Sequence, residues 1–132
     1  MAQAHRKTAL PAGIAARLKE LQSNAKRAAP LLKAMSNPTR LVILCKIAEG
    51  ERSVGELEKQ VGLTQSGISQ HLAVLRRHNL VVAERRASQV YYRLAYPEVA
   101  ELLRVARSLL LEILDAGRQL ASSAELSSAE LP

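Results

Sequence analysis

The sequence has no tryptophan and no phenylalanine, and its 132 residues hold three tyrosines, Tyr91, Tyr92 and Tyr96. Binders of single-stranded nucleic acid stack bases on aromatic platforms, and this chain cannot build one. It has a single cysteine, Cys45. A disulfide framework and a cysteine-rich zinc site are therefore excluded, and a reducing cytoplasm is the expected setting. The three histidines, His5, His71 and His78, are too scattered to make a metal site. No apolar run is long enough to span a bilayer, and no apolar segment follows Met1, so neither membrane insertion nor secretion is expected. The chain also lacks a nucleophile–base–acid set and a glycine-rich phosphate loop, so neither an enzyme nor a cofactor is expected.

What is abundant is positive charge. Net charge is +7, and the charge is uneven along the chain. Residues 1–33 hold seven Lys and Arg against one Glu, residues 34–96 nine against five, and residues 97–132 three against six acids. A basic front and middle with an acidic end point to a polyanion-binding surface kept apart from a second surface. The lack of aromatics favours double-stranded nucleic acid as that polyanion.

Apolar spacing gives the organisation. Ile14, Leu18, Leu21, Ala25, Ala28 and Leu32 predict a first helix to Met35, which Pro30 is expected to break or kink. Asn37 and Pro38 start a second helix that ends near Gly50. Ser53-Val54-Gly55-Glu56 reads as a capping box opening a short third helix, closed by Gly62. Thr64 caps a fourth, which runs to about His78. The period then changes: Leu80 to Arg86 and Val90 to Leu94 predict a hairpin joined by Ala87-Ser88-Gln89. Pro97 opens a last helix whose stripe from Val99 to Leu114 is wider than one small domain needs. The tail repeats Ser-Ser-Ala-Glu-Leu and is expected to fray. The expected fold is mainly α with a β-hairpin wing, a winged helix-turn-helix in the order α-α-α-α-β-β-α. The division is a flexible basic N-terminus (1–13), a DNA-binding and dimerisation domain (14–117) and a low-complexity tail (118–132).

On the fourth helix Ile68, Leu72 and Leu75 fall on the buried side, and Ser66, Ser69, Gln70, Ala73 and Arg77 fall opposite. A merely solvated face would carry more Lys and Glu. Gln bonds adenine bidentately, Ser serves either base type, and Ala meets a thymine methyl, so this face suits the major groove. Gln65 lies at the helix start, and Thr64 with the free N–H groups behind it suits a phosphate. Arg85, Arg86 and Arg93, with Ser88 and Gln89 in the turn, make a wing that grips the backbone. The plain alternatives are an ordinary well-capped polar helix and a hairpin edge protected by charge. His71 flanks the buried side and reads as a packing residue, and His78 suits a helix end.

The run Met35-Ser36-Asn37-Pro38-Thr39-Arg40-Leu41, the stretch from Gly62 through Ser66-Gly67-Ile68-Ser69-Gln70-His71-Leu72 to Arg76, and Val90-Tyr91-Tyr92-Arg93-Leu94 together resemble the ArsR family. The resemblance covers roughly residues 30–115. It implies a homodimer built from the first and last helices, repression of a near-palindromic operator, and release by an inducer that remains to be identified. Metal-sensing members place cysteines where Ser53 and Gly55 stand here, or Asp and His where Ser108 and Leu109 stand, so no metal is expected. The likeness is to the subgroup of sulfide-responsive and biofilm repressors, the haemolysin activator and the nodulation repressor. Its sulfide-responsive members pair a cysteine at the position of Cys45 with one on the last helix, where this chain has Leu111. A persulfide bridge therefore cannot close within one subunit. Cys45 reads as a small packing residue in the stripe Leu41, Leu44, Cys45, Ala48, with single-thiol sensing of reactive sulfur or oxidants as the alternative. Against the DNA reading stands a winged helix used only for protein interaction.

Overall fold

The structure, a computed structural model, describes residues 11–129, with side chains to Ser127. The elements are α1 (Ala12–Met35), α2 (Pro38–Glu49), β1 (Arg52–Ser53), α3 (Val54–Val61), α4 (Gln65–Arg77), β2 (Val81–Arg86), β3 (Gln89–Leu94) and α5 (Pro97–Ala129). The strands form one antiparallel sheet in the order β1-β3-β2. This is the expected winged helix-turn-helix, with one short strand more than the sequence pattern predicts. None of the described helices is long and apolar enough to cross a membrane.

Side-chain chemistry sets the element boundaries. Asn37 Oδ1 accepts from the Arg40 N–H at 3.0 Å, capping α2, and Pro38 fills the first helical position. The Arg40 guanidinium reaches back to donate to the Ala34 carbonyl, tying the end of α1 to α2. Buried Ser53 accepts from the Glu56 N–H at 3.2 Å and donates to the Glu56 carboxylate at 3.1 Å, so α3 starts with its polar groups satisfied. Gly62, at φ 78°, takes the left-handed conformation that closes α3 without a Cβ clash. Asn79, at φ 59°, ends α4, and the Leu80 N–H returns to the Leu75 carbonyl at 3.0 Å.

Ile43, Leu44, Ile47, Leu57, Ile68, Leu72, Leu75, Leu80 and Val81 form the core, closed at its rim by Ala34, Met35 and Val99. Each large side chain removed from water contributes on the order of 1.5–3 kcal/mol. One cluster thus fixes α2, α3, α4 and the foot of the wing together. In α5 only the first turns reach it, through buried Val99 and half-buried Leu103, and every residue from Arg104 to Ser127 is exposed.

Four expectations need correction. Pro30 does not break α1, which runs through it to Met35. It lies on the side opposite Leu21 and Leu32 and is exposed, so the carbonyl that loses its helical donor is open to solvent. The Ser-Ser-Ala-Glu-Leu repeat, expected to fray, is helical as far as it is described: α5 continues to Ala129, in keeping with the helix propensity of Ala, Leu and Glu. The first ten residues of the basic N-terminus, and 130–132, lie outside the described residues. The hairpin turn is Ala87-Ser88 alone, because Gln89 pairs with Arg86. Cys45 is exposed rather than packed, as are Leu41 and Ala48; of that stripe only Leu44 is buried.

Candidate nucleic-acid interface

The helix-turn-helix is α3, the turn at Gly62-Leu63-Thr64, and α4. Thr64 Oγ1 accepts from the Gly67 N–H at 3.3 Å and lies 3.3 Å from Ser66 Oγ. A Cβ at position 67 would stand 3.3 Å from that hydroxyl, so glycine lets the cap close. Thr64 therefore serves the helix first, and what it leaves for a ligand is the electropositive helix start. Ile68, Leu72 and Leu75 are buried as expected, which turns Gln65, Ser66, Ser69, Gln70, Ala73 and Arg77 outward, all exposed. His71 and His78 are half-buried.

The wing stands beside this helix because β3 is the middle strand. It pairs with β2 from Val81↔Leu94 to Arg86↔Gln89 and with β1 through Arg52↔Tyr92 and Ser53↔Tyr91. Ser53 is also the cap of α3, so the sheet fastens the wing to the helix-turn-helix at that residue.

Two concave surfaces result. A groove of about 400 Å³ between α4 and β3 is lined by Ser69, Leu72, Ala73, Arg76, Arg77 and Tyr92. It brings three residues of the expected face, Ser69, Ala73 and Arg77, together with Arg76 and Tyr92, which the sequence reading leaves out. The signal for Arg76 was there: it lies seven residues after Ser69, on the same helical face. A second hollow of about 280 Å³ lies between the start of α3 and the wing turn, and it gathers Gln65, Ser88 and Gln89 around Ser53, Val54 and Gly55. Ser66 and Gln70 line neither and project from α4 into open solvent.

The wing arginines are not equivalent. Arg85 and Arg93 are exposed, and among the described residues neither is in a salt bridge. Arg86 is engaged by Glu51 at 2.6 Å and Glu84 at 3.1 Å, and its guanidinium lies 5.0 Å from the centre of the Tyr91 ring. Hydrogen bonds from Arg86, then its charge, hold the Glu84 carboxyl below its ordinary value, and the bonds to Glu51 and Glu84 push the guanidinium up. No group of His, Cys, Asp and Glu among the described residues is placed to hold a metal ion.

Residues 37–82 match the arsR family of bacterial regulatory proteins. The chain is 45% identical to the transcriptional activator HlyU of Vibrio cholerae over 92 residues, which are 70% of this chain and 85% of that protein. It is 43% identical to the biofilm growth-associated repressor of Xylella fastidiosa over 84 residues, 64% of this chain and 74% of the repressor. The solved structure of reduced HlyU from Vibrio cholerae superposes with a TM-score of 0.64 at 44% identity, covering 69% of this chain and 96% of that one. With its capped α3–α4 pair and its sheet-anchored wing, the chain belongs to the ArsR family of winged helix-turn-helix transcriptional regulators and is not an enzyme.

Proposed function

We propose that this regulator, working in the cytoplasm, binds a near-palindromic DNA duplex as a homodimer and represses the promoter it occupies. The observation that carries the reading is the exposed Gln65, Ser66, Ser69, Gln70 and Ala73 face of α4, flanked by Arg76, Arg77, Arg85 and Arg93. Its short polar side chains suit base edges in the major groove, and the arginines suit phosphates on either side. Ser88 and Gln89 at the wing turn, beside Gln65, extend the contact. Fluorescence anisotropy on the DNA upstream of the protein's own gene tests this. Specific binding is expected, and Gln70→Ala should cost about 1–3 kcal/mol at one base position. If neither that DNA nor a selected random pool binds above background, the winged helix is a protein-interaction module.

The dimer is supported by the fate of the long helices. Ile14, Leu18, Leu21, Ala25, Ala28, Leu32 and Met35 alternate steps of four and three on α1, and Leu102, Ala106, Leu109, Ile113, Ala116 and Leu120 do so on α5. That spacing packs helix against helix. Yet Leu21 is 64% exposed and Ile113 58% in the protomer, a surface that a second copy would cover. Lys19, Lys26 and Lys33 form a row beside the α1 seam, and Glu101, Glu112 and Asp115 flank that of α5. Counted over the described helices, α1 is net basic and α5, with Arg104, Arg107 and Arg118 against five acids, is net acidic. Two copies joined this way present two α4 helices, suiting half-sites about one helical turn apart.

Cys45 enters as the sensing group because its thiol is exposed on α2. A polysulfide would transfer one sulfur to it, leaving a persulfide on Cys45 and a polysulfide shorter by one atom. Intact-mass analysis after polysulfide treatment should show the added sulfur; an unmodified native thiol would assign Cys45 no sensing role.

A further inference from the structure

The wing is fastened twice. Near its foot, β1 supports β3 as far as the Ser53↔Tyr91 pair. Beyond that pair, residues 85–90 have only the two strands of the hairpin. The second fastening is Arg86, the last residue of β2 before the turn. Its Nη1 meets Glu51 Oε1 at 2.6 Å and its Nη2 meets Glu51 Oε2 at 2.7 Å, a bidentate pair. Nη2 also meets Glu84 Oε2 at 3.1 Å. The guanidinium covers the Tyr91 ring, and the Tyr91 hydroxyl donates to Gln89 Oε1 at 3.0 Å. Glu51 belongs to the link between α2 and β1, thirty-five residues earlier in the chain. A continuous path therefore runs from the body of the domain through Arg86 to Gln89 beside the turn.

Charge arithmetic bears on what Arg86 can do. One guanidinium stands between two carboxylates, with Arg93 acting on Glu84 only through its charge, so the charge of Arg86 is answered within the cluster. Turning Arg86 toward DNA would leave Glu51 and Glu84 unpaired beside a polyanion. We infer that Arg86 is a positioning residue that fixes the wing tip to the domain through Glu51, and that Arg85 and Arg93 are the wing cations left for the phosphate backbone. The assignment rests on the DNA-binding reading above for its functional consequence, but the clamp itself belongs to the free protein.

A charge exchange separates positioning from phosphate contact. Arg86→Glu alone should weaken binding to the operator roughly tenfold or more. Adding Glu51→Arg restores that pair with the signs reversed and returns the net charge. Glu84→Gln is made in all the proteins compared, so that the carboxylate introduced at position 86 does not face the like charge of Glu84. Affinity should recover to within about threefold, because position 86 touches no phosphate. In the free proteins, the amides of residues 85–90 should exchange faster in Arg86→Glu and slow again in the double variant. Arg85→Ala should lower the salt dependence of binding by about one unit of slope. A double variant that binds as poorly as Arg86→Glu overturns the inference and makes Arg86 a phosphate ligand; so does a hairpin whose exchange ignores both changes. If the native protein binds no DNA, the functional reading fails, and hydrogen exchange still decides the clamp.

Discussion

Leu72 and Leu109 carry the same side chain on helices with equally regular apolar spacing, yet one is 1% exposed and the other 55%. Leu72 belongs to the stretch from about Leu31 to Leu103, where α2, α3, α4 and the sheet lie close enough to bury one another's apolar faces. Leu109 belongs to a 33-residue helix that extends about 50 Å, well past anything in its own protomer that could cover it. Apolar periodicity states that a face will be covered. It does not state by what.

Three substitutions and one change of conditions sharpen this contrast. The largest effect should come from Leu72→Ala, which opens a cavity in the one shared core and should cost about 2–5 kcal/mol of unfolding free energy in denaturant titration. Loss of stability below about 1 kcal/mol would mean that α4 packs loosely. Ile113→Glu should leave helix content unchanged by circular dichroism. It should weaken self-association by roughly 2–3 kcal/mol, read as a shift toward monomer in analytical ultracentrifugation. Unfolding instead of dissociation would place Ile113 in a core that the protomer does not display. Ala87→Gly addresses the wing: Ala87 sits at φ 56°, and glycine there should stabilise the hairpin by about 1 kcal/mol, seen as slower amide exchange.

The smallest effect concerns acid. Glu84 titrates below its ordinary 4.5 because Arg86 bonds to its ionised form. The stabilisation this gives is complete above 4.5 and is lost as pH falls through the lower folded value. Tyr91 chemical shifts should therefore be flat from pH 7 to 5 and move only in more acidic solution. A change near neutrality would implicate another group.

Much of the binding surface is legible because it depends on local chemistry. Thr64, Gly67 and Gly62 set the ends of α3 and α4, and the 3.6-residue period then places Ser66, Ser69 and Gln70 outward. Legibility fails where a neighbour distant in sequence decides. Strand β1 has only two residues, too few to alternate, and it exists because Arg52 and Ser53 meet Tyr92 and Tyr91. The turn at Ala87 carries no glycine or asparagine to mark it, so a left-handed alanine goes unread. Arg85 and Arg86 are neighbours of identical type; strand alternation puts Glu84 on the face of Arg86, but the hold of Glu51, thirty-five residues away, has no local mark.

The sequence by itself determined the helix-turn-helix, its caps, the hairpin and the polarity of α4, since each follows from spacing and side-chain chemistry within a few residues. Only the tertiary structure decided that Cys45 faces solvent, that α1 and α5 extend unbroken with their apolar seams uncovered, and that Arg86 is held by Glu51 from outside the hairpin. Those outcomes depend on which surfaces meet across the fold, a matter of distance in space that no local pattern encodes.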